Sequence, residues 1–191
     1  MILFHGSDTP NINTLVPQLA DHDRPYVYMT TIEVVAAFYL CNAVCRPFYW
    51  FPYGFTESGV PIYHELYPNA LKEVSEHRSG YIYTANADES QIIPFKNIPC
   101  ARLGTQPIKV TGCKEIPNAY AYFCEREAAG ELVIGKYEDK SEKELANWHK
   151  MILDYITEKE LVKTPDCSYA KFVQSKFPFI WEEYIAKSAQ K

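Results

Sequence analysis

The chain's 191 residues suffice for one medium domain that buries roughly 70% of its unfolded surface, so no disulfide or metal is needed to hold it together. A net charge of −5 without any basic run argues against a protein built to grip the nucleic-acid backbone. No apolar stretch approaches the ~20 residues that span a bilayer, and Met1 to Phe4 is interrupted too early by His5 and Gly6 to read as a signal peptide.

In chain order, Ile2 to His5 reads as a strand buried on both faces, ended by Gly6. Ser7 to Asn11 is a turn cluster, and Ala20 to Pro25 is a polar connection. Tyr26 to Thr30, rich in Tyr, Val and Thr, predicts a second strand. Thr31 then caps a helix over 32–45, which stops before Pro47. An aromatic block from Phe48 to Phe55 follows, with a hairpin turn at Glu57-Ser58-Gly59 and a returning strand, Val60 to Leu66, which Pro61 confines to a sheet edge.

Pro68 to His77 has a helical pattern, Tyr81 to Ala85 is a strand, and Ile92 to Phe95 a short one. No element is assigned to Ile98 to Gly104, whereas Pro107 to Thr111 predicts a strand running on toward Ile116. Pro117 introduces a helix, Asn118 to Ala129, closed by Gly130, and Leu132 to Ile134 is another short strand. Ser141 and Glu144 have capping-box spacing for a helix whose core stripe is Leu145, Trp148, Ile152 and Tyr155. Phe172 to Ala186 is helical with an interruption at Pro178. The pattern predicts a single α+β domain over 1–191, strand-rich over 1–115 and carrying a helical C-terminal layer over 116–191.

Few residues carry chemistry. The six cysteines (Cys41, Cys45, Cys100, Cys113, Cys124 and Cys167) include no C-x-x-C pair, and no His stands at zinc-finger spacing. They read as reduced thiols in a cytoplasmic protein that binds no metal. There is no phosphate loop, nucleophile elbow or dinucleotide fingerprint. The sharp feature is His5-Gly6-Ser7. A Gly at a strand end leaves its N–H and C=O open to a planar amide, Ser7 adds a hydroxyl, and His5 a donor for a sugar hydroxyl. Tyr28 and Tyr39 are placed to sandwich the ring that bears the amide. Such a set suits a nicotinamide riboside.

The spacing of these residues resembles the poly(ADP-ribose) polymerase-like and diphtheria-toxin-like ADP-ribosyltransferases, among them small bacterial members. His5-Gly6-Ser7 matches the first-strand motif, Tyr28-Met29-Thr30 the second-strand motif, and Tyr39 the tyrosine of the following helix. Gly80 to Tyr83 is similar to a later core strand. The resemblance implies a split antiparallel β core with flanking helices and NAD as substrate. His5 would hold a ribose hydroxyl, Gly6 and Ser7 the carboxamide, Tyr39 one ring face, and Tyr28 with Thr30 the other wall. ADP-ribose would pass to an acceptor, protein or nucleic acid, with release of nicotinamide.

One motif departs from the pattern. The catalytic Glu of the family falls, by position, in Asn97 to Leu103, which holds no carboxylate; Glu65 and Glu115 are the stand-ins. Three functions therefore stay open: a mono-ADP-ribosyltransferase, an impaired relative that binds NAD, ADP-ribose or a partner, and an unrelated α+β domain.

Overall fold

A computed structural model describes residues 1–19, 24–41, 54–95 and 98–188. Residues 42–45 of the predicted helix, all of the aromatic block before Gly54, and His22 and Cys45 lie outside them. In chain order the strands are β1 (Ile2–Ser7), β2 (Thr14–Leu15), β3 (Val27–Thr30), β4 (Gly54–Phe55), β5 (Pro61–His64), β6 (Gly80–Asn86), β7 (Ile92–Pro94), β8 (Ala101–Gly104), β9 (Ile108–Ile116) and β10 (Val133–Gly135). The helices are α1 (Glu33–Ala37), which continues as a 3-10 turn over Phe38–Cys41, then α2 (Ala70–Ser75), α3 (Ala119–Ala128), α4 (Glu142–Glu158), α5 (Ser168–Lys176) and α6 (Pro178–Ser188). The protein is thus mixed α/β, with a large antiparallel sheet and, among the described residues, six α-helices.

The described residues divide into two compact units: those within Met1–Asn42, Phe51–Tyr63 and Leu71–Ile134, and those within Ala43–Trp50, His64–Ala70 and Gly135–Lys191. The first holds a seven-stranded sheet in the order β2-β9-β6-β1-β3-β8-β7, antiparallel at every pairing. One face of the sheet packs Leu3, Val27, Met29, Ala85 and Ile108 against Leu15 from β2. Toward the other face, Phe38 stacks between Phe123 of α3 (centroids 4.4 Å apart) and Tyr63 of β5 (5.5 Å). Both pairs are stacked aromatic contacts that add to simple burial.

Several elements differ from the sequence reading, each for a physical reason. β1 does not end at Gly6. It runs to Ser7 because β6 pairs with it along its whole length, from Ile2↔Asn86 to Ser7↔Tyr81. Nor is it buried on both faces, since Ile2 is 61% exposed. β8 forms in the stretch left unassigned because β3 and β7 both pair with it, so sheet context supplies what local composition lacks. β5 is the middle strand of a three-stranded sheet, order β10-β5-β4, and not an edge; Pro61 is tolerated there as the strand's first residue. Gly59, at φ 84°, makes the predicted turn between β4 and β5. The residue before α1 is Ile32 rather than Thr31, and it supplies no side-chain cap.

In the second unit, Ser141 and Glu144 form the reciprocal capping box that opens α4. The buried stripe of α4 is Ile152, Leu153 and Ile156, whereas Tyr155 stays 37% exposed and stacks on Tyr169. The apolar face is therefore rotated from the predicted one. The C-terminal helical region is interrupted at Pro178 as expected: α5 ends at Lys176 and Pro178 starts α6, as suits a residue with no N–H to donate. Tyr67, Ile152, Ile156, Val173, Phe177 and Tyr184 form the centre of this unit's core.

Candidate functional site

The site sits where β1 and β3 meet. Their register is the single pair Phe4↔Thr30. On its other side, β3 is bonded to β8 through odd-numbered residues, and Thr31 N–H continues that series to the Cys100 carbonyl at 2.9 Å. Strand alternation then directs the backbone groups of Tyr28 and Thr30 toward β1. One step beyond the Phe4 pair, Gly6 stands level with Tyr28. There the registered ladder stops, and the Tyr28 carbonyl accepts a hydrogen bond from His5 Nδ1 at 2.7 Å. This junction beyond the last registered pair, with Gly6 on β1 and Tyr28 on β3, is the seam between the two strands.

Alternation also sorts the side chains. Leu3 and Met29 belong to one sheet face, so His5 and Ser7 share it. Gly6, Tyr28 and Thr30 lie on the opposite face, beneath α1. A Cβ on Gly6 would fall 2.0 Å from the Ala36 carbonyl oxygen and 3.3 Å from Tyr39 Cβ. Gly6 is therefore needed for close helix packing, which the sequence reading missed, and it places Tyr39 directly beside the seam. Tyr39 is partly buried against the cluster of Val35 and Cys100. The structure brings Gly6, Tyr28 and Tyr39 together on one face, while His5 reaches the seam from the other.

The His5 bond settles its tautomer. A carbonyl can only accept, so Nδ1 carries the proton and Nε2 the lone pair. Burial lowers the His5 pKa from its ordinary value, although the bond to Tyr28 opposes this, so the ring is neutral near pH 7. His5 thus presents Nε2 as an acceptor, whereas the sequence reading gave it a donor's role. Ser7 Oγ accepts from Thr9 N–H at 3.1 Å, and Thr30 Oγ1 from Ile32 N–H at 3.1 Å. Both hydroxyls therefore shape local turns as well as lying near the seam.

Among the described residues, β8 itself, Ala101–Gly104, carries no carboxylate. Arg102 occupies that strand, its Nη1 donating to the carbonyls of Pro99 (2.7 Å) and Ala101 (2.8 Å). Glu65 is buried at 6% exposure in the other compact unit, where its N–H donates to the Gly135 carbonyl. Glu115 is exposed on β9 in register with Tyr81, which in turn pairs with Ser7, so it lies on the His5 face two strands away.

A network with no local signature in the sequence holds α1. Glu33 Oε1 accepts from Lys114 Nζ at 2.7 Å and from Tyr122 OH at 2.9 Å. Burial works against the Glu33 charge, but those two bonds and the charges of Lys114 and Arg126 hold its pKa below the usual carboxylate value. Burial and the same Glu33 push the Tyr122 phenol up. The partners lie 81 and 89 residues away, beyond the reach of any local pattern.

Among the described residues no cluster of three or more His, Cys, Asp or Glu could hold a metal ion. No described helix is long and apolar enough to cross a membrane. Searches against protein-family models, curated proteins and solved structures found no match to this chain.

Proposed function

We propose that the β1–β3 seam is a nicotinamide-binding corner and that the chain is an NAD-dependent mono-ADP-ribosyltransferase. The observation that carries this reading is the convergence of Gly6, Tyr28 and Tyr39 on one face, with His5 bonded across the seam to Tyr28. In this reading the carboxamide lies in the seam against the Gly6 backbone, Tyr39 stacks on the ring, and His5 Nε2 accepts from a ribose hydroxyl. The nicotinamide–C1′ bond breaks, nicotinamide departs as a neutral base, and the acceptor's nucleophile bonds to C1′ while giving up its proton. Ring stacking and the seam orient the bond that breaks; an opposing carboxylate would offset the oxocarbenium charge.

The stretch Ile98–Leu103 beside β3 supplies no such carboxylate, and this favours a second reading in which the corner binds NAD or ADP-ribose without transfer. Nicotinamide release from NAD, followed by chromatography, separates the two. Release that is lost in His5→Ala and Tyr39→Ala supports the transferase. Saturable NAD binding without release supports the binding module. Absence of binding sinks both.

A further inference from the structure

α1 has only five residues, far fewer than a helix needs to persist unaided, and lacks a side-chain cap. Its position, and with it that of Tyr39 in the following turn, must come from tertiary contacts. Apolar burial of Val34, Val35, Ala36 and Ala37 presses it onto the sheet but resists sliding or rotation weakly. Directional contacts supply that resistance. Gly6, Ile82 and Lys114 form one row across β1, β6 and β9 on the face that α1 covers. At one end of the row the Ala36 carbonyl rests on Gly6; at the other Lys114 Nζ bonds Glu33. Tyr122 OH adds a second bond to the same carboxylate oxygen from α3. The Lys114 ammonium also stands 4.9 Å from the Tyr122 ring centroid and the Arg126 guanidinium carbon 5.4 Å, so both donors are themselves held.

We infer that Glu33 is a positioning residue for the corner: clamped by Lys114 and Tyr122, it fixes the seat of α1 so that Tyr39 stands beside Gly6. The inference rests on the nicotinamide reading for its functional meaning, but the placement of Tyr39 is testable without a ligand.

The test uses Glu33→Gln and Tyr122→Phe, with Lys150→Ala on α4 as control. The protein is labelled with 3-fluorotyrosine, and the Tyr39 resonance is assigned by its loss in Tyr39→Phe. Glu33→Gln and Tyr122→Phe should shift or broaden the Tyr39 signal while far-UV circular dichroism stays that of the parent; Lys150→Ala should leave it alone. In parallel, NAD titration should show roughly five- to tenfold weaker binding in the two variants. An unmoved Tyr39 resonance in both variants overturns the inference. A moved resonance in a parent protein that does not bind NAD upholds the positioning role and overturns the nicotinamide reading. If Glu33→Gln unfolds, Tyr122→Phe, which removes one hydroxyl, decides the matter.

Discussion

His5 donates from Nδ1 to the Tyr28 carbonyl at 2.7 Å, a bond that links β1 to β3 at the point where their ladder ends. It holds the neutral ring in one tautomer, and that has a consequence for stability. The unfolded His titrates near its ordinary value of 6.5, and burial sets the folded value lower. Well above pH 6.5 neither state binds the proton. As pH falls below it the unfolded chain takes up the proton first, so stability declines until the folded ring also titrates. The His64 pKa is lowered as well, by burial and by Lys140. The His5 part is therefore isolated by comparing denaturant unfolding of the parent and His5→Gln from pH 7.5 to 5. The parent should lose more stability over that range, and long-range ¹H–¹⁵N spectra at pH 7.5 should show an unprotonated Nε2. An imidazolium at pH 7.5 would contradict it.

Gly6→Ala tests the packing of α1 on β1. The new methyl would meet the Ala36 carbonyl oxygen at 2.0 Å, and that oxygen belongs to backbone and cannot swing aside. Overpacking of this kind costs about 3 kcal/mol, which for a chain of this size lowers Tm by roughly 6–12 °C. Calorimetry of the variant should show such a drop, together with loss of NAD binding because Tyr39 is displaced. An unchanged Tm would mean that α1 sits higher over the sheet than described.

These two residues also show how far the sequence could be read. The strands around His5 and Tyr28 were legible because extended, β-rich runs bounded by turn residues report themselves locally. The capping box at Ser141 and Glu144 was legible for the same reason. The role of Gly6 was not: a turn glycine and a glycine under a helix look alike until the helix is placed. β8 was illegible because its strand character comes from β3 and β7. The direction of the His5 proton depended on a carbonyl 23 residues away, and the Glu33 clamp on residues from two later elements.

Thr30→Val should separate structure from ligand contact at a residue assigned to the cofactor wall. Thr30 is 2% exposed and its Oγ1 accepts from Ile32 N–H. Valine keeps the volume but leaves that N–H without its acceptor, at about 1–2 kcal/mol. Thr30→Ser restores the oxygen and should recover much of this, apart from the missing methyl. Urea unfolding of the pair measures the difference; equal stability of Thr30→Val and the parent would show that Ile32 N–H finds another partner.

Thiol reactivity probes the layer beneath α1. Cys41, in the turn that carries Tyr39, is buried, and burial pushes its pKa up to about 12, against the opposing charge of Arg78. Its thiolate population at pH 8 is roughly a thousandfold below that of a free cysteine, before any steric barrier is counted. Cys100 is buried too, whereas Cys113 is exposed on β9. Brief alkylation at pH 8, read by peptide mass spectrometry, should mark Cys113 and spare Cys41 and Cys100. Raising urea toward the unfolding midpoint should release the latter two together, since α1 and β8 flank the same strand and lose their packing when the sheet opens. Early labelling of Cys41 alone, below that midpoint, would instead show that the Tyr39 turn detaches while the sheet stays closed.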